Sequence, residues 1–367
     1  MRLQALIALL LFASVFSDCS SSKNATAVAE TLPATALHPY GRRLLNDKQQ
    51  LELVSSASNF GFSFSGSECR VVASVPTWLD HNYLQYELDG VYQKKLRVLS
   101  KTGEPIVITA PASGKHTVWI YKAIEAQTGA VIIQRITGKD IRSIERASAP
   151  AIEFIGNSIT CGAAADPSEV PCGTGVYHDQ HNAYMAYGPR VARTLGVNYI
   201  VSSVSGIGVY RNWNSDGPTM PQVYEHTDFQ ANSPLLWNFS TYSPKIVSIA
   251  LGTNDFSRGD GKTPRLPFDS ARFVNDYVQF VQLVKSNYPA AQIALLSSPM
   301  MNGEARTLLQ NCLTAVKATV DSAHPSAKPI AVFFFQPMLA RGCSGHPNVE
   351  DHGIMAEQLI PFFRSML

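Results

Sequence analysis

The sequence has almost no excess of positive over negative charge. Its 30 Lys and Arg residues balance 28 Asp and Glu residues, which leaves a formal net charge of +2 with no block of basic residues. Nucleic-acid binding needs basic groups that neutralise a run of phosphates, so nucleic acid is not expected as a partner. Charged residues make up only 16% of the chain and hydrophobic residues 45%, which is typical of globular domains rather than disorder.

Long hydrophobic runs are also scarce. The apolar run from Leu3 to Phe16 is too short to cross a membrane, and it predicts a secretory signal peptide over residues 1–17. Cys19 and the Ser-rich stretch after it also resemble a lipoprotein start, in which a lipid on Cys19 would form a membrane tether. We therefore expect a protein that is secreted, periplasmic or held at the cell surface.

Cysteines are too few for a fold built on disulfide bonds, because only six occur in 367 residues. In an exported protein those after Cys19 can still pair. We take Cys161 with Cys172, and Cys312 with Cys343, as guesses only, since connectivity cannot be read from a sequence.

The length of the chain favours two domains, and its pattern changes near the middle. Residues 18–38 read as a linker. Residues 39–148 carry short alternating runs such as FGFSFSG and YLQYEL, which predict an all-β sandwich. Between two of these runs, Asp89-Gly90 predicts a hairpin with a type I′ turn, because that turn needs positive φ at both central residues.

Residues 149–367 instead alternate apolar strands with amphipathic helices. The strand segments are AIEFIG, VNYIVSSV, KIVSIAL, AQIALLSS and IAVFFFQ. Such a pattern predicts an α/β domain with a parallel sheet covered by helices on both faces. Because ligands of these sheets bind at the carboxyl ends of the strands, functional residues are expected directly after the strands.

Four short blocks stand at such boundaries, and each is weak alone. Three follow strands, and the fourth precedes the last helix: Gly156-Asn157-Ser158, Ser205-Gly206-Ile207-Gly208, Gly252-Thr253-Asn254-Asp255 and Gly345-His346-Pro347-Asn348. Acyl transfer needs a nucleophile, a base and donors to the oxyanion. Together the four blocks specify such a site.

The roles follow from the residue types. Ser158 would be the nucleophile and His346 the general base. The backbone N–H groups of Ser158 and Gly206, with the side-chain amide of Asn254, would bind the oxyanion. Gly208 is an alternative donor to Gly206, and a turn serine without function is the alternative for Ser158.

The blocks FIGNSITCG, SGIGVYRNW, ALGTNDFS and GHPNVEDHGIMAEQL resemble those of the SGNH (GDSL-type) hydrolases. In particular they resemble the two-domain esterases of carbohydrate esterase family 2. The resemblance implies a jelly-roll sandwich ahead of a flavodoxin-like SGNH domain. It also implies removal of O-acetyl groups from plant polysaccharides or oligosaccharides, such as xylan and glucomannan, without a metal or cofactor.

The sequence departs from the superfamily pattern at two positions. Asn157 stands where Asp usually precedes the serine, and Cys343 stands where Asp usually precedes the histidine by three residues. Members of carbohydrate esterase family 2 work with a Ser-His dyad in which a backbone carbonyl orients the histidine, so the departure favours that subgroup. Asp255 and Asp351 stay open as alternative acceptors for His346.

Three aromatic residues lie after or between strands, where a sugar ring could stack. Tyr210 and Trp213 belong to the block next to Gly206, and substrate binding and packing are both open for them. Trp237 is expected to pack. A metal bound by Cys343, His346 and His352 is not expected, because no second compact pair of ligands accompanies them.

Two other functions stay open on the sequence. One is an SGNH esterase or lipase that acts on other acyl esters. The other is a carbohydrate-binding protein that keeps the fold without catalysis, although the presence of both Ser158 and His346 argues against it. The protein is expected to be a monomer.

Overall fold

The chain folds into an antiparallel β-sandwich followed by an α/β domain, as the sequence predicts. A computed structural model describes residues 29–100 and 104–367. The predicted signal peptide, residues 1–17, and Cys19 lie outside the described residues. Within the two described ranges, no helix is both long enough and apolar enough to cross a membrane.

The described part of the N-terminal domain forms nine strands in one antiparallel network. Their bounds are β1 (Glu30–Pro33), β2 (Arg43–Leu45), β3 (Leu51–Leu53), β4 (Asn59–Ser74), β5 (His81–Leu88), β6 (Val91–Leu99), β7 (Ile106–Thr109), β8 (Lys115–Lys122) and β9 (Val131–Ile144). The strand order is β2-β3-β9-β4-β8-β5-β6, with β1 paired to β9 and β7 to β4. The predicted linker, residues 18–38, is therefore too long, because β1 lies inside it and forms part of the sandwich.

Alternation along β4 explains how this domain forms its core. Phe60, Phe62 and Phe64 point inward at every second position and are fully buried. The pairing of β4 with β9 shifts register between Ser65 and Arg70, and such irregularities let a long strand bend from one layer toward another. The predicted hairpin between β5 and β6 is also confirmed, since both turn residues, Asp89 and Gly90, have positive φ values, 52° and 79°.

The α/β domain has five parallel strands in the order β11-β10-β12-β13-β14. Their bounds are β10 (Ala151–Gly156), β11 (Asn198–Ser203), β12 (Ile246–Ala250), β13 (Gln292–Leu296) and β14 (Ala331–Phe333). Each coincides with a predicted strand. The order of the strands reverses at β10, because β11 lies on one side of it and β12 on the other. The carboxyl ends of strands at such a switch point form the usual ligand site of these folds.

Helices cover both faces of this sheet. Their bounds are α1 (Ser158–Cys161), α2 (Tyr187–Leu195), α3 (Met220–Val223), α4 (Thr253–Phe256), α5 (Ser270–Asn287), α6 (Gly303–Ala323) and α7 (Val349–Arg364). Neighbouring residues of one strand enter different cores, because side chains alternate across a sheet. Phe154 packs with residues of α2 and α7 on one face, whereas Ile155 packs with residues of α5 and α6 on the other.

Buried polar contacts join the two domains. Gln85 of β5 donates its side-chain N–H to the Asn182 Oδ1 atom at 2.6 Å, and the Ala183 N–H donates to the Ala123 carbonyl at 3.0 Å. Lys95 of β6 donates to a carbonyl of the α/β domain at 2.6 Å. Because unmade buried hydrogen bonds are costly, these contacts fix the orientation of the sandwich on the α/β domain.

The disulfide pairing differs from both guesses. Cys172 is bonded to Cys343, while Cys161 and Cys312 are buried and unpaired. Cys161 lies in α1 and Cys312 on the buried side of α6, and Cys69 in β4 is unpaired as well. The pairing joins residues 171 positions apart, so only the tertiary structure brings them together.

Candidate active site

Ser158 lies where β10, an internal strand of the sheet, ends and the short helix α1 begins. The turn is tight because the Asn157 side chain accepts the Ile159 N–H at 3.1 Å, and because a Cβ atom at Gly156 would overlap the Thr160 side chain. Only glycine therefore fits directly before this turn. The arrangement holds the Ser158 hydroxyl at the carboxyl edge of the sheet.

His346 contacts that hydroxyl from a loop far along the chain. Its Nε2 atom lies 2.9 Å from Ser158 Oγ, and its Nδ1 atom lies 3.0 Å from the Ser344 carbonyl oxygen. A carbonyl can only accept, so Nδ1 carries the proton and Nε2 is free to accept the proton of the serine hydroxyl. Ser344 has a φ of 51°, and this left-handed conformation belongs to the turn in which its carbonyl meets the ring.

The two carboxylates left open as partners of His346 contact other groups. Asp255 is fully buried and accepts the N–H groups of Val209 and Tyr210, each at 2.9 Å. Asp351 accepts from Arg341 and caps α7 at Asn348. Among the described residues, the Ser344 carbonyl is thus the acceptor that orients His346.

The disulfide braces the loop that carries His346. Cys343 takes the position of the usual aspartate, but its sulfur is bonded to Cys172. Gly342 donates its N–H to the His346 carbonyl at 2.7 Å, and Cys343 donates its own to the Ala164 carbonyl at 2.9 Å. A histidine without a carboxylate partner is therefore held by a covalent link and backbone hydrogen bonds.

The predicted oxyanion donors face the same cleft as Ser158 and His346. Within the described part of the chain, the N–H groups of Ser158 and Gly206 have no protein acceptor. Asn254 donates one side-chain N–H to the Ile207 carbonyl at 2.7 Å, which leaves its second N–H for a ligand. The Gly208 N–H already donates to an asparagine side chain at 3.0 Å, so Gly206 is the better candidate of the two glycines.

The cleft has a volume of 840 Å³ and a mixed lining. Trp213 is 46% exposed and forms part of its wall, next to apolar side chains such as Met300 and Met301. Tyr210 does not line this cleft. It faces a neighbouring groove, where its ring packs on Phe268 and its hydroxyl accepts a backbone N–H at 3.1 Å, so its predicted role in substrate binding at this cleft is not supported by its position.

Trp237 packs as the sequence predicts, since it is only 8% exposed and its ring lies against the buried guanidinium of Arg42. Cys343 is in a disulfide, and the Nδ1 atom of His352 accepts a backbone N–H inside the fold, so these residues do not form a site with His346. Elsewhere, ligand atoms of His81, His178 and Asp179 lie within 4.8 Å of one another. There the His81 Nε2 atom is already hydrogen-bonded to the Asp179 carboxylate at 2.6 Å.

Sequence reasoning missed two residues at this site. Tyr177 lines the cleft, with its hydroxyl 3.4 Å from His346 Nε2. Glu125 is buried behind the cleft and binds the loop that carries Gly206. Tyr177 follows no strand of the sheet and Glu125 belongs to the other domain, so no motif in the sequence marks either residue.

Burial changes the pKa values of two groups at the site. It lowers the pKa of His346 below its ordinary value, although the hydrogen bond to Ser344 partly opposes the change. It also raises the pKa of Asp255 to about 6, against the effect of the backbone N–H groups that stabilise its charged form. His346 is thus neutral at pH 7, the state in which it can accept a proton.

Both domains match families of known proteins. Residues 154–344 match the family described as GDSL-like Lipase/Acylhydrolase, and residues 40–144 match Carbohydrate esterase 2 N-terminal. The chain is 30% identical over 343 residues to a cellulase/esterase, CelE, of Acetivibrio thermocellus, covering 89% of this chain but 39% of that relative. It is 25% identical over 366 residues to an acetylxylan esterase / glucomannan deacetylase of Cellvibrio japonicus, covering 98% of each.

Among solved structures, a family two carbohydrate esterase from Clostridium thermocellum, in complex with cellohexaose, superimposes with a TM-score of 0.77. It is 27% identical and the match covers 92% of this chain and 98% of that one. The family match spans more than half of the chain, and both domains correspond. The chain therefore belongs to the GDSL-like lipase/acylhydrolase family, as an ester hydrolase whose N-terminal domain is of the carbohydrate esterase 2 type.

Proposed function

We propose that this protein is an exported carbohydrate esterase that removes O-acetyl groups from plant polysaccharides or their oligosaccharides. Catalysis proceeds through a Ser158-His346 dyad and an acyl-enzyme. The observation that carries the proposal is the 2.9 Å contact between Ser158 Oγ and His346 Nε2, beside two backbone N–H groups that have no acceptor among the described residues.

Each step uses a group that the site supplies. Ser158 Oγ attacks the acetyl carbonyl while its proton passes to His346 Nε2, and the oxyanion receives hydrogen bonds from the Ser158 and Gly206 N–H groups and the Asn254 amide. Collapse of this intermediate breaks the bond to the sugar oxygen, which takes the proton from His346. Water, deprotonated by His346, then releases acetate and restores Ser158.

The substrate class is supported by the relatives and by the shape of the cleft. One relative named above is an acetylxylan esterase / glucomannan deacetylase, and the solved structure named above holds cellohexaose. The 840 Å³ cleft is open, and the exposed ring of Trp213 offers a surface on which a sugar could stack.

Export is supported by the predicted signal peptide and by the disulfide. A bond between Cys172 and Cys343 persists in an oxidising compartment and is rare in the cytosol. Lipidation of Cys19 would hold the exported protein at a membrane, and cleavage without a lipid would release it.

A substrate panel tests the proposal. We expect acetate release from acetylated xylan or glucomannan, and a higher kcat/KM for 4-nitrophenyl acetate than for the octanoate. A fluorophosphonate probe should label the native protein and not the heat-denatured protein. Preference for the octanoate would instead favour a lipase, while glycan binding without labelling or hydrolysis would favour a non-catalytic binding protein.

The dyad predicts the pH dependence of the reaction. The base must be neutral, so kcat/KM should fall as the pH drops through the pKa of His346 in the free enzyme. Burial lowers that pKa below the ordinary 6.5, and it outweighs the hydrogen bond to the Ser344 carbonyl and the charge of Glu125, which both raise the pKa. We therefore expect the acidic limb of the kcat/KM profile for 4-nitrophenyl acetate to have its midpoint below pH 6.5.

Titration of Asp255 could produce a similar acidic limb, because its pKa is about 6. Warming separates the two, since the pKa of an imidazole falls with temperature whereas that of a carboxyl hardly changes. The midpoint should therefore move to lower pH when the profile is repeated at a higher temperature. A midpoint above 6.5 would contradict a dyad oriented by a carbonyl, because a partner carboxylate raises the pKa of a histidine.

A further inference from the structure

A turn of the β-sandwich reaches the loop that carries Gly206. It follows strand β8 and contains a short 3₁₀ helix, Ala126–Thr128. Lys122, at the end of β8, is fully buried and donates its Nζ to the carbonyl oxygens of Ile124 and Glu125, at 2.9 and 2.6 Å. The turn is thus held in one shape by two hydrogen bonds from Lys122 Nζ, which fix the direction of the side chains that leave it.

Glu125 leaves this turn toward the active site. Its side chain is 3% exposed, and its Oε2 atom accepts the Ser205 N–H at 2.6 Å and the Cys161 thiol at 3.3 Å. The Ala164 N–H donates to His181 Nδ1 at 3.2 Å, so the proton of this ring is on Nε2. His181 Nε2 therefore donates to Glu125 Oε1 at 3.3 Å. One carboxylate of the sandwich therefore binds three separate segments around Ser158.

The carboxylate is charged in this environment. Burial alone would raise its pKa, but the hydrogen bonds from His181 and Ser205 outweigh burial, so the pKa of Glu125 lies below the ordinary value. Hydrogen bonds to a charged acceptor are roughly twice as strong as neutral ones. The Ser205 backbone is consequently held firmly at its N–H.

A second side chain of the same turn binds the carbonyl group of Ser205. Gln127 donates its Nε2–H to the Ser205 carbonyl at 3.3 Å. This carbonyl and the Gly206 N–H belong to one peptide group, and in a trans peptide the two bonds point in opposite directions. When the carbonyl points toward the sandwich, the Gly206 N–H must point away from it, and Gly206 itself lines the cleft beside Ser158.

We propose that Glu125 and Gln127 are positioning residues through which the β-sandwich sets the oxyanion hole. They hold the Ser205–Gly206 peptide in the orientation that presents the Gly206 N–H to the developing oxyanion. The proposal rests on the acyl-transfer function and assigns the sandwich a part in it. Neither residue touches the reacting atoms, so both act through this peptide.

The variants are expected to lose stabilisation of the transition state while they bind the substrate as before. The oxyanion exists only there, so a misdirected donor lowers kcat while KM stays nearly unchanged. Loss of one donor lowers kcat about 10²- to 10³-fold. We expect Glu125→Ala to lower kcat for 4-nitrophenyl acetate about 10²-fold, Glu125→Gln about 10-fold because its amide oxygen can still accept the Ser205 N–H, and Gln127→Ala several-fold.

Affinity for ethylboronic acid provides the second measurement, because its tetrahedral adduct with the serine mimics the intermediate. It should weaken in each variant by about the same factor as kcat. The number of active sites, counted from the end point of fluorophosphonate labelling, should equal that of the wild type. Gln93→Ala and Glu68→Gln, exposed positions on the same sandwich, are matched controls and should leave both measurements unchanged.

Glu125→Ala with wild-type kcat and boronate affinity would overturn the proposal. So would a loss of activity explained fully by fewer labelled sites, because that describes unfolding rather than positioning. If Glu125→Ala does not fold, Glu125→Gln and Gln127→Ala decide by the same two readouts. A wild-type protein that neither hydrolyses the ester nor binds the boronate would contradict the proposed function itself, which is a different result.

Discussion

Replacing Ser158 by alanine is expected to lower kcat for acetyl esters by about 10⁴- to 10⁶-fold, and replacing His346 by alanine is expected to have a similar effect. In the proposed mechanism the two side chains act as one unit, because the proton that leaves the serine passes across the 2.9 Å contact between them. Without the hydroxyl there is no nucleophile, and without the imidazole the hydroxyl keeps its proton.

The double variant tests whether the two side chains act together or contribute independently. Ser158→Ala with His346→Ala should be no slower than either single variant, since each change alone already ends covalent catalysis. A residual rate of about 10³- to 10⁴-fold over the reaction in water is expected from the N–H donors and substrate binding. KM should change little, because neither side chain is needed to bind the sugar.

The measurement is acetate release from 4-nitrophenyl acetate and acetylated xylan, with labelling by a fluorophosphonate. Ser326→Ala and His324→Ala, exposed residues of the same domain, are matched controls with unchanged rates. Retention of more than a tenth of the wild-type kcat by Ser158→Ala would refute the nucleophile assignment. Additive losses in the double variant would mean that His346 acts on a different group.

Replacing Arg42 by alanine is expected to lower the free energy of unfolding by about 3–5 kcal/mol. This arginine belongs to the sandwich, yet its guanidinium is fully buried against the α/β domain. It donates to the carbonyl oxygens of Tyr224 and His226, each at 2.7 Å, and its charge lies 3.8 Å from the Glu153 carboxylate in β10. Aromatic rings surround it, with Phe229 nearest at 4.2 Å from the guanidinium carbon.

The loss of stability comes from the buried polar groups that would lose their partner. Two carbonyl oxygens would lose their donor inside the protein, and Glu153 would lose its nearby positive charge. Burial already raises the pKa of Glu153 and lowers that of Arg42, so this pair is expensive to desolvate and depends on its remaining contacts. Ser202 and Tyr224 still donate to Glu153, which limits the loss.

Urea unfolding followed by tryptophan fluorescence measures the effect. The control is Arg43→Ala, the same change one residue later, where the side chain is half-buried and contacts Tyr242; it should cost less than about 1 kcal/mol. Arg42→Met restores apolar volume but no donor, so it should lie between alanine and the wild type. Equal stabilities for Arg42→Ala and Arg43→Ala would contradict the structural role.

Predictions of the fold from the sequence were accurate where local geometry decides. The five apolar strand segments coincide with β10 to β14, because an apolar run between turn residues is set by the geometry of a strand covered on both faces. Asp89-Gly90 forms the predicted hairpin turn, because few residues tolerate its backbone angles. The linker was overestimated, because the strand Glu30–Pro33 is defined by its pairing with a strand about 100 residues away, as with Leu32 and Ile136, rather than by its own pattern.

The sequence predicted residue types for the site but not all of their contacts. Ser158, Gly206 and Asn254 follow strands of one sheet, so their convergence could be inferred from the positions of the strand ends. Tyr210 follows the same strand as Trp213 but turns into another groove, because its ring finds an apolar partner in Phe268. The direction in which such a loop turns depends on tertiary contacts, and the spacing of residues in the sequence does not predict them.

The order of strands and helices, the turn before Ser158 and the residue types suited to acyl transfer could all be inferred from local sequence patterns. Three features depend on the folded chain: the Ser344 carbonyl orients His346, Cys343 is bonded to Cys172, and the sandwich binds the Gly206 loop through Glu125. The reason is distance along the chain. Backbone angles and side-chain periodicity act over a few residues, whereas the Ser158–His346 contact spans 188 positions and the Glu125–Ser205 contact 80, so both exist only once the domains have packed.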